Sequence, residues 1–120
     1  MTTTKSSPGI SLHVSISIAE ENVPKFVEAM GPIYEKVTAE PECTFFEIYQ
    51  NPQNPGELSW VENWSASLEW LVEVQLKKEY YIPYLAITEP MFLKPREFKV
   101  LNRLGAPFTV VKKGNGEIRE

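Results

Sequence analysis

Leu58-Ser-Trp-Val-Glu-Asn-Trp64 decides how this chain is read. Aromatic and β-branched residues follow the turn-forming Asn54-Pro55-Gly56, which is the pattern of a strand leaving a loop. Side chains alternate between the two faces of a strand. Leu58, Trp60, Glu62 and Trp64 therefore share one face, and Ser59, Val61 and Asn63 share the other. A carboxylate between two tryptophans on an apolar face is costly to bury unless it is paired or protonated. Two readings of Glu62 are open: a polar group in a pocket, or a salt-bridged residue at a subunit contact with the tryptophans as plain core.

Working outward, Asn51-Pro-Gln-Asn-Pro-Gly56 is a dense turn cluster, and Thr44 to Gln50 before it is a second strand. Phe46, Ile48 and Gln50 fall on one face, with Phe45, Glu47 and Tyr49 on the other, and the two strands form a looped hairpin. Upstream, Val23, Phe26, Val27, Met30, Ile33, Tyr34 and Val37 recur at helical spacing, with Asn22 as the cap. Pro32 lies within that stripe and predicts a kink, while Glu40-Pro41-Glu42 ends the helix. Ile10 to Ile18 alternates between apolar residues and Ser11, His13, Ser15 and Ser17, which predicts a half-buried strand.

Downstream, Ser65-Ala-Ser67 offers caps for a helix carrying Leu68, Trp70, Leu71, Val74 and Gln75. Lys77-Lys78-Glu79 interrupts it, and a second helical piece runs from about Ile82 to Glu89 with Tyr81, Tyr84, Leu85 and Thr88 along one side. Pro95 introduces a last strand, Arg96 to Leu104. The order is βαββαβ: an α+β, ferredoxin-like fold with a four-stranded antiparallel sheet and helices on one face. The bare face carries the small polar residues of the first strand, which suits a second copy of the same sheet. Residues 1–9 read as a disordered arm, 10–104 as the domain and 105–120 as a C-terminal extension. In that extension Phe108 to Val111 is expected to pair with a sheet edge or reach over a partner subunit.

At 120 residues the chain fits one domain. Net charge is −4 with scattered basic residues, which argues against nucleic acid as a partner. No apolar run reaches membrane-spanning length, and the N-terminus lacks the apolar core of a secretory signal, so a cytoplasmic protein is expected. The sequon Asn63-Trp64-Ser65 lies inside a predicted strand and is set aside. Cys43, the single cysteine, excludes an intrachain disulfide and reads as a small buried residue at a strand start. His13 and Cys43 are the only soft ligands, so neither a metal site nor a nucleophilic triad is expected. What remains is an aromatic wall of Trp60, Trp64, Tyr80, Tyr81, Tyr84, Phe46 and Phe92, with Glu62, Gln75 and Asn63 as groups that orient a flat ligand.

The chain resembles the antibiotic biosynthesis monooxygenase domain of the dimeric α/β-barrel superfamily over residues 10–104. The resemblance rests on the opening strand Leu12-His-Val-Ser-Ile-Ser-Ile18 and the helix around Phe26. It also rests on Glu40-Pro-Glu-Cys43 before Phe45-Phe46-Glu47, on Glu62-x-Trp64-Ser65, and on Tyr84-Leu-x-x-x-Glu-Pro-Met91. It implies a homodimer with two sheets face to face and a pocket in each subunit between helices and sheet. It implies a reaction in which O₂ oxidises a phenolic, anthrone-like polyketide to a quinone without a cofactor. Trp64 matches a family tryptophan that contacts substrate or cofactor. Many members carry histidines where this chain has Gln75 and Tyr80, and the haem-degrading branch needs a histidine this chain lacks.

On that resemblance, Glu62, Tyr80 and Trp64 are the expected catalytic residues. Trp60, Asn63, Gln75, Tyr81, Tyr84 and Phe46 are the expected substrate-binding set, with no metal and no cofactor. The alternatives are a non-oxidative cyclase, dehydratase or isomerase in the same pocket, and a dimeric small-molecule-binding or stress-response protein without turnover.

Overall fold

Four strands and three helices make up the described residues of the computed structural model, which are 8–116, 118 and 119. They are β1 (Ile10–Ser17), α1 (Val23–Thr38), β2 (Cys43–Gln50), β3 (Glu57–Trp64), α2 (Leu68–Glu73), α3 (Tyr81–Thr88) and β4 (Glu97–Asn102). The strands form one antiparallel sheet in the order β2-β3-β1-β4. This is the expected ferredoxin-like arrangement.

The register follows from the two alternating patterns. Ile10 lies opposite Trp64, Leu12 opposite Glu62, Val14 opposite Trp60 and Ile16 opposite Leu58. All eight point to the helix side and are buried. From α1, Phe26, Met30, Ile33 and Val37 come down on them, at spacings that keep one helix face inward. Each such side chain contributes roughly 1.5–3 kcal/mol when fully buried. Two glycines allow the chain to close around this core. Gly9 has φ +101°, and a Cβ there would strike the Trp64 carbonyl; at Gly56 a Cβ would strike the Ile18 carbonyl.

Several expectations need correction. A 3-10 turn, Glu20–Asn22, precedes α1, and the Asn22 side chain makes no capping bond. The start of α1 is fixed instead by that turn and by Pro24 in its first positions. The predicted second helix stops at Glu73, and Gln75–Lys77 forms a separate 3-10 turn. Ser67 caps α2 as expected, accepting from the Trp70 amide at 3.0 Å. Phe108–Val111 forms no strand and pairs with no sheet edge. Its apolar side chains are exposed in the single chain, Phe108 78% and Val110 73%. Residues 1–7 of the expected N-terminal arm lie outside the described residues. Among the described residues no helix is long and apolar enough to cross a membrane.

Candidate active site

β3 brings Glu62 between the indoles of Trp60 and Trp64. Residues two apart on a strand point the same way, so each indole N–H reaches back to the carboxylate. Trp60 Nε1 donates to Glu62 Oε2 and Trp64 Nε1 to Oε1, both at 3.0 Å. Glu62 is 7% exposed and Trp64 fully buried. The face of β3 that carries them packs against the helices, so Glu62 belongs to the interior between helices and sheet. Burial raises the Glu62 pKa above the ordinary carboxylate value, and the two indole hydrogen bonds pull it down without cancelling that rise. Among the described residues its hydrogen-bond partners are the two neutral indoles, and no ion pair holds it.

The surrounding aromatic shell comes from every helix. Phe26 of α1 lies 5.9 Å from Trp60 and 6.2 Å from Tyr84, and Trp70 of α2 lies 5.9 Å from Trp64, ring centre to ring centre. Burial raises the pKa of Tyr84, with Arg96 pulling the other way and Glu62 adding to the rise. Burial likewise raises Tyr81, to which the Glu62 charge also contributes.

A second cluster joins the turn after α2 to the end of α1. Tyr80 Oη donates to Glu40 Oε2 at 2.7 Å, and Lys78 Nζ lies 3.3 Å from the same oxygen. Gln75 Nε2 donates to Tyr80 Oη at 2.7 Å and to Tyr81 Oη at 2.8 Å. Gln75 is fully buried, and its Oε1 has no hydrogen-bond partner among the described residues. Burial, reinforced by the bond to Glu40, pushes the Tyr80 phenol up to about 12.

A groove of about 1140 Å³ opens beside this interior, between α1, β2 and the C-terminal extension. Tyr34, Thr38, Cys43 and Phe46 line its body side, and Val111, Ile118 and Arg119 line its tail side. Tyr34 meets Phe46 edge-on at 5.1 Å. Arg119 clamps Glu35 through two bonds of 3.0 Å and lies over the Tyr34 ring. Burial pushes the Cys43 thiol up to about 11, and the charges of Glu62 and Glu40 push the same way.

The fold thus brings Trp60, Glu62 and Trp64 into one hydrogen-bonded unit, and Gln75, Tyr80 and Tyr81 into another. Tyr84 joins the aromatic shell, while Phe46 lines the groove and stands opposite Glu62 in the β2–β3 ladder. Asn63 stands apart. It pairs with Ser11 and Phe45 on the far face of the sheet and lines a shallow depression there with residues of the extension. Glu40, Tyr34, Trp70 and Arg96 were not singled out from the sequence. Glu40 reads there as part of a helix stop, and no sequence spacing links it to Tyr80. Among the described residues no three His, Cys, Asp or Glu side chains converge in a metal-holding group.

No family model matches the chain. It is 38% identical over 100 residues to a protein of Pestalotiopsis microspora named "Putative monooxygenase GME11364", with 83% of each chain covered. Solved structures share the fold at lower identity. One from Nitrosomonas europaea, described as a "putative antibiotic biosynthesis monooxygenase", superposes with a TM-score of 0.74 at 17% identity, covering 85% of this chain and 96% of that one. Another so described, from Caulobacter crescentus, gives 0.73 at 16% identity, covering 83% and 93%. A conserved protein from Methanosarcina mazei gives 0.72 at 18% identity, covering 82% and 95%. With a monooxygenase-named relative at this identity and the fold of the solved members, the chain belongs to the antibiotic biosynthesis monooxygenase family, a family of monooxygenase-type enzymes.

Proposed function

We propose that this protein is a cofactor-independent monooxygenase that oxidises a flat phenolic, anthrone-like metabolite of polyketide type to a quinone with O₂. The observation that carries this reading is the buried Glu62 carboxylate, held by two indole N–H groups and raised in pKa by burial. It takes a proton from the activated CH₂ of the substrate. The resulting carbanion spreads over the aromatic rings and passes one electron to O₂, and the two radicals recombine as a peroxide. Glu62 returns its proton to the peroxide, then takes the second carbon proton as the O–O bond breaks. The departing hydroxide receives that proton, so CH₂ and O₂ become C=O and H₂O.

In this reading Trp60 and Trp64 hold the base, and Trp64 also stacks on the substrate. Phe46, Tyr81 and Tyr84 wall the ring system. Tyr80 and Gln75 face a substrate oxygen. The ligand enters along the groove and displaces the half-buried Phe46 ring. The sheet's outer face, with Ser11, His13, Ser15, Ser59 and Val61, pairs with a second copy to make a homodimer. The cytoplasm is the compartment this reading assigns.

A second reading is a non-oxidative cyclase, dehydratase or isomerase. It is favoured by Gln75 and Tyr80 standing where many family members carry histidine, which leaves Glu62 as the acid–base group.

Oxygen uptake by the metal-free protein with an anthrone, followed together with quinone absorbance, tests the choice. The oxidative reading expects protein-dependent uptake matched by quinone and reduced in Glu62→Gln, Trp64→Ala and Tyr80→Phe. Uptake at the spontaneous rate across several flat phenols would move the assignment to acid–base chemistry without oxygen.

A further inference from the structure

Glu40 fixes which way a buried amide faces. Tyr80 has a single hydroxyl hydrogen, and its partner Glu40 Oε2 at 2.7 Å is a carboxylate oxygen, paired with Lys78, that can only accept. The hydrogen of Tyr80 therefore points to Glu40. The Gln75 atom 2.7 Å from Tyr80 Oη must then be a donor, which makes it the amide nitrogen. The second amide hydrogen goes to Tyr81 Oη. Both donors of Gln75 are thereby used, and its Oε1 is left as a buried acceptor with no partner among the described residues.

Other polar groups here have the same one-sided capacity. Trp60 and Trp64 spend their N–H groups on Glu62, whose oxygens keep lone pairs. The spare hydrogen-bonding capacity of Gln75 is all acceptor, as is that of Glu62 when it is ionised. A buried acceptor left unpaired is costly, and a ligand hydroxyl would satisfy it.

We propose that Glu40, acting through Tyr80, locks the Gln75 amide with its oxygen free to accept, so that the pocket selects a ligand carrying an O–H group over the same skeleton lacking it. Glu40 is a positioning residue in this scheme, and Gln75 Oε1 is the atom that reads the ligand. The hydroxylated form of a flat aromatic is retained, and its methyl ether is rejected. This rests on the aromatic-ligand reading above and adds to it the sense of recognition.

The test is binding without turnover. The affinities of 1,8-dihydroxyanthrone and its dimethyl ether are measured by anaerobic titration calorimetry on the full chain. The hydroxylated ligand is expected to bind at least about tenfold tighter, since a site built to bond a hydroxyl rejects the analogue without one. Glu40→Gln supplies an amide that can donate or accept, which releases the lock, and the ratio should fall to within about threefold. Tyr80→Phe cuts the same link and should do likewise, which keeps the test open if either variant fails to fold. A general loss of packing would weaken both ligands together and leave the ratio unchanged. A ratio in both folded variants equal to that of the wild type overturns the inference. So does binding of both ligands by the wild type without discrimination, and that result leaves the aromatic-ligand reading intact. Binding of neither ligand to the wild type overturns both.

Discussion

Phe46 stands directly opposite Glu62 in the β2–β3 ladder, so a wall of the groove and the buried carboxylate are cross-strand neighbours. Phe46→Ala should admit water to the carboxylate and bring its pKa back toward the ordinary value. The lost packing of a half-buried ring should also cost about 2–3 kcal/mol, less than for a full core phenylalanine. Urea denaturation at several pH values checks both effects. An unchanged pH dependence would mean that the ring does not shield Glu62.

Glu62 should make the fold less stable as pH rises. Its folded pKa lies above the 4.5 of the exposed group, so the folded state holds the proton more tightly than the unfolded state. The stabilisation is complete below pH 4.5 and is lost as pH climbs through the folded pKa, at up to about 1.4 kcal/mol per pH unit. Glu62→Gln removes this slope. The stability difference between variant and wild type should therefore shift in favour of the variant between pH 4.5 and neutrality. A difference flat with pH would show that Glu62 titrates alike in both states.

Cys43 should be a sluggish thiol. With its pKa pushed up to about 11 and its side chain partly buried, little thiolate exists at pH 8. Labelling by a disulfide reagent should run at least about tenfold slower than for a free cysteine in solution. It should slow further when a ligand fills the groove that Cys43 lines. Rapid labelling with no protection would separate the groove from ligand binding.

The C-terminal extension should come loose with salt. It is fastened to α1 by the Arg119–Glu35 pair and by Arg119 over the Tyr34 ring, and the side chains of Arg119 and Glu35 are more than half exposed. The attraction between exposed charges decays over about 8–10 Å at ordinary ionic strength and over a shorter distance in more salt. Tryptic cleavage after Lys112 or Lys113 should therefore accelerate at roughly 0.5 M salt. Arg119→Ala should give the same acceleration at low salt. Cleavage insensitive to both would mean that the extension is held by something other than this pair.

The sheet was legible because each strand buries one face, and a period of two leaves few registers open. Alternation alone places Leu58, Trp60, Glu62 and Trp64 on one face. The α1 stripe was equally plain, and Pro32 did not end it. The split between α2 and the turn at Gln75 was not legible, because Val74 and Gln75 continue the helical spacing while the backbone tightens. Phe108–Val111 was misread as a strand for a related reason. Phe108 to Val111 has the composition of a strand, yet a strand needs a neighbouring edge, and that is a property of the assembled sheet. In the site, the Trp60–Glu62–Trp64 unit was readable because it is local. The tie between Glu40 and Tyr80 was not, since it closes 40 residues of chain and leaves no periodic trace.

The indole clamp on Glu62 also makes the protein its own optical instrument. Two of its three tryptophans donate to one titratable carboxylate, and the third lies 5.9 Å from Trp64. Indole emission responds to a charge placed at its N–H. A change in Glu62 protonation should therefore appear in the intrinsic fluorescence of the unmodified chain, and no attached dye is needed to watch the base gain or lose its proton.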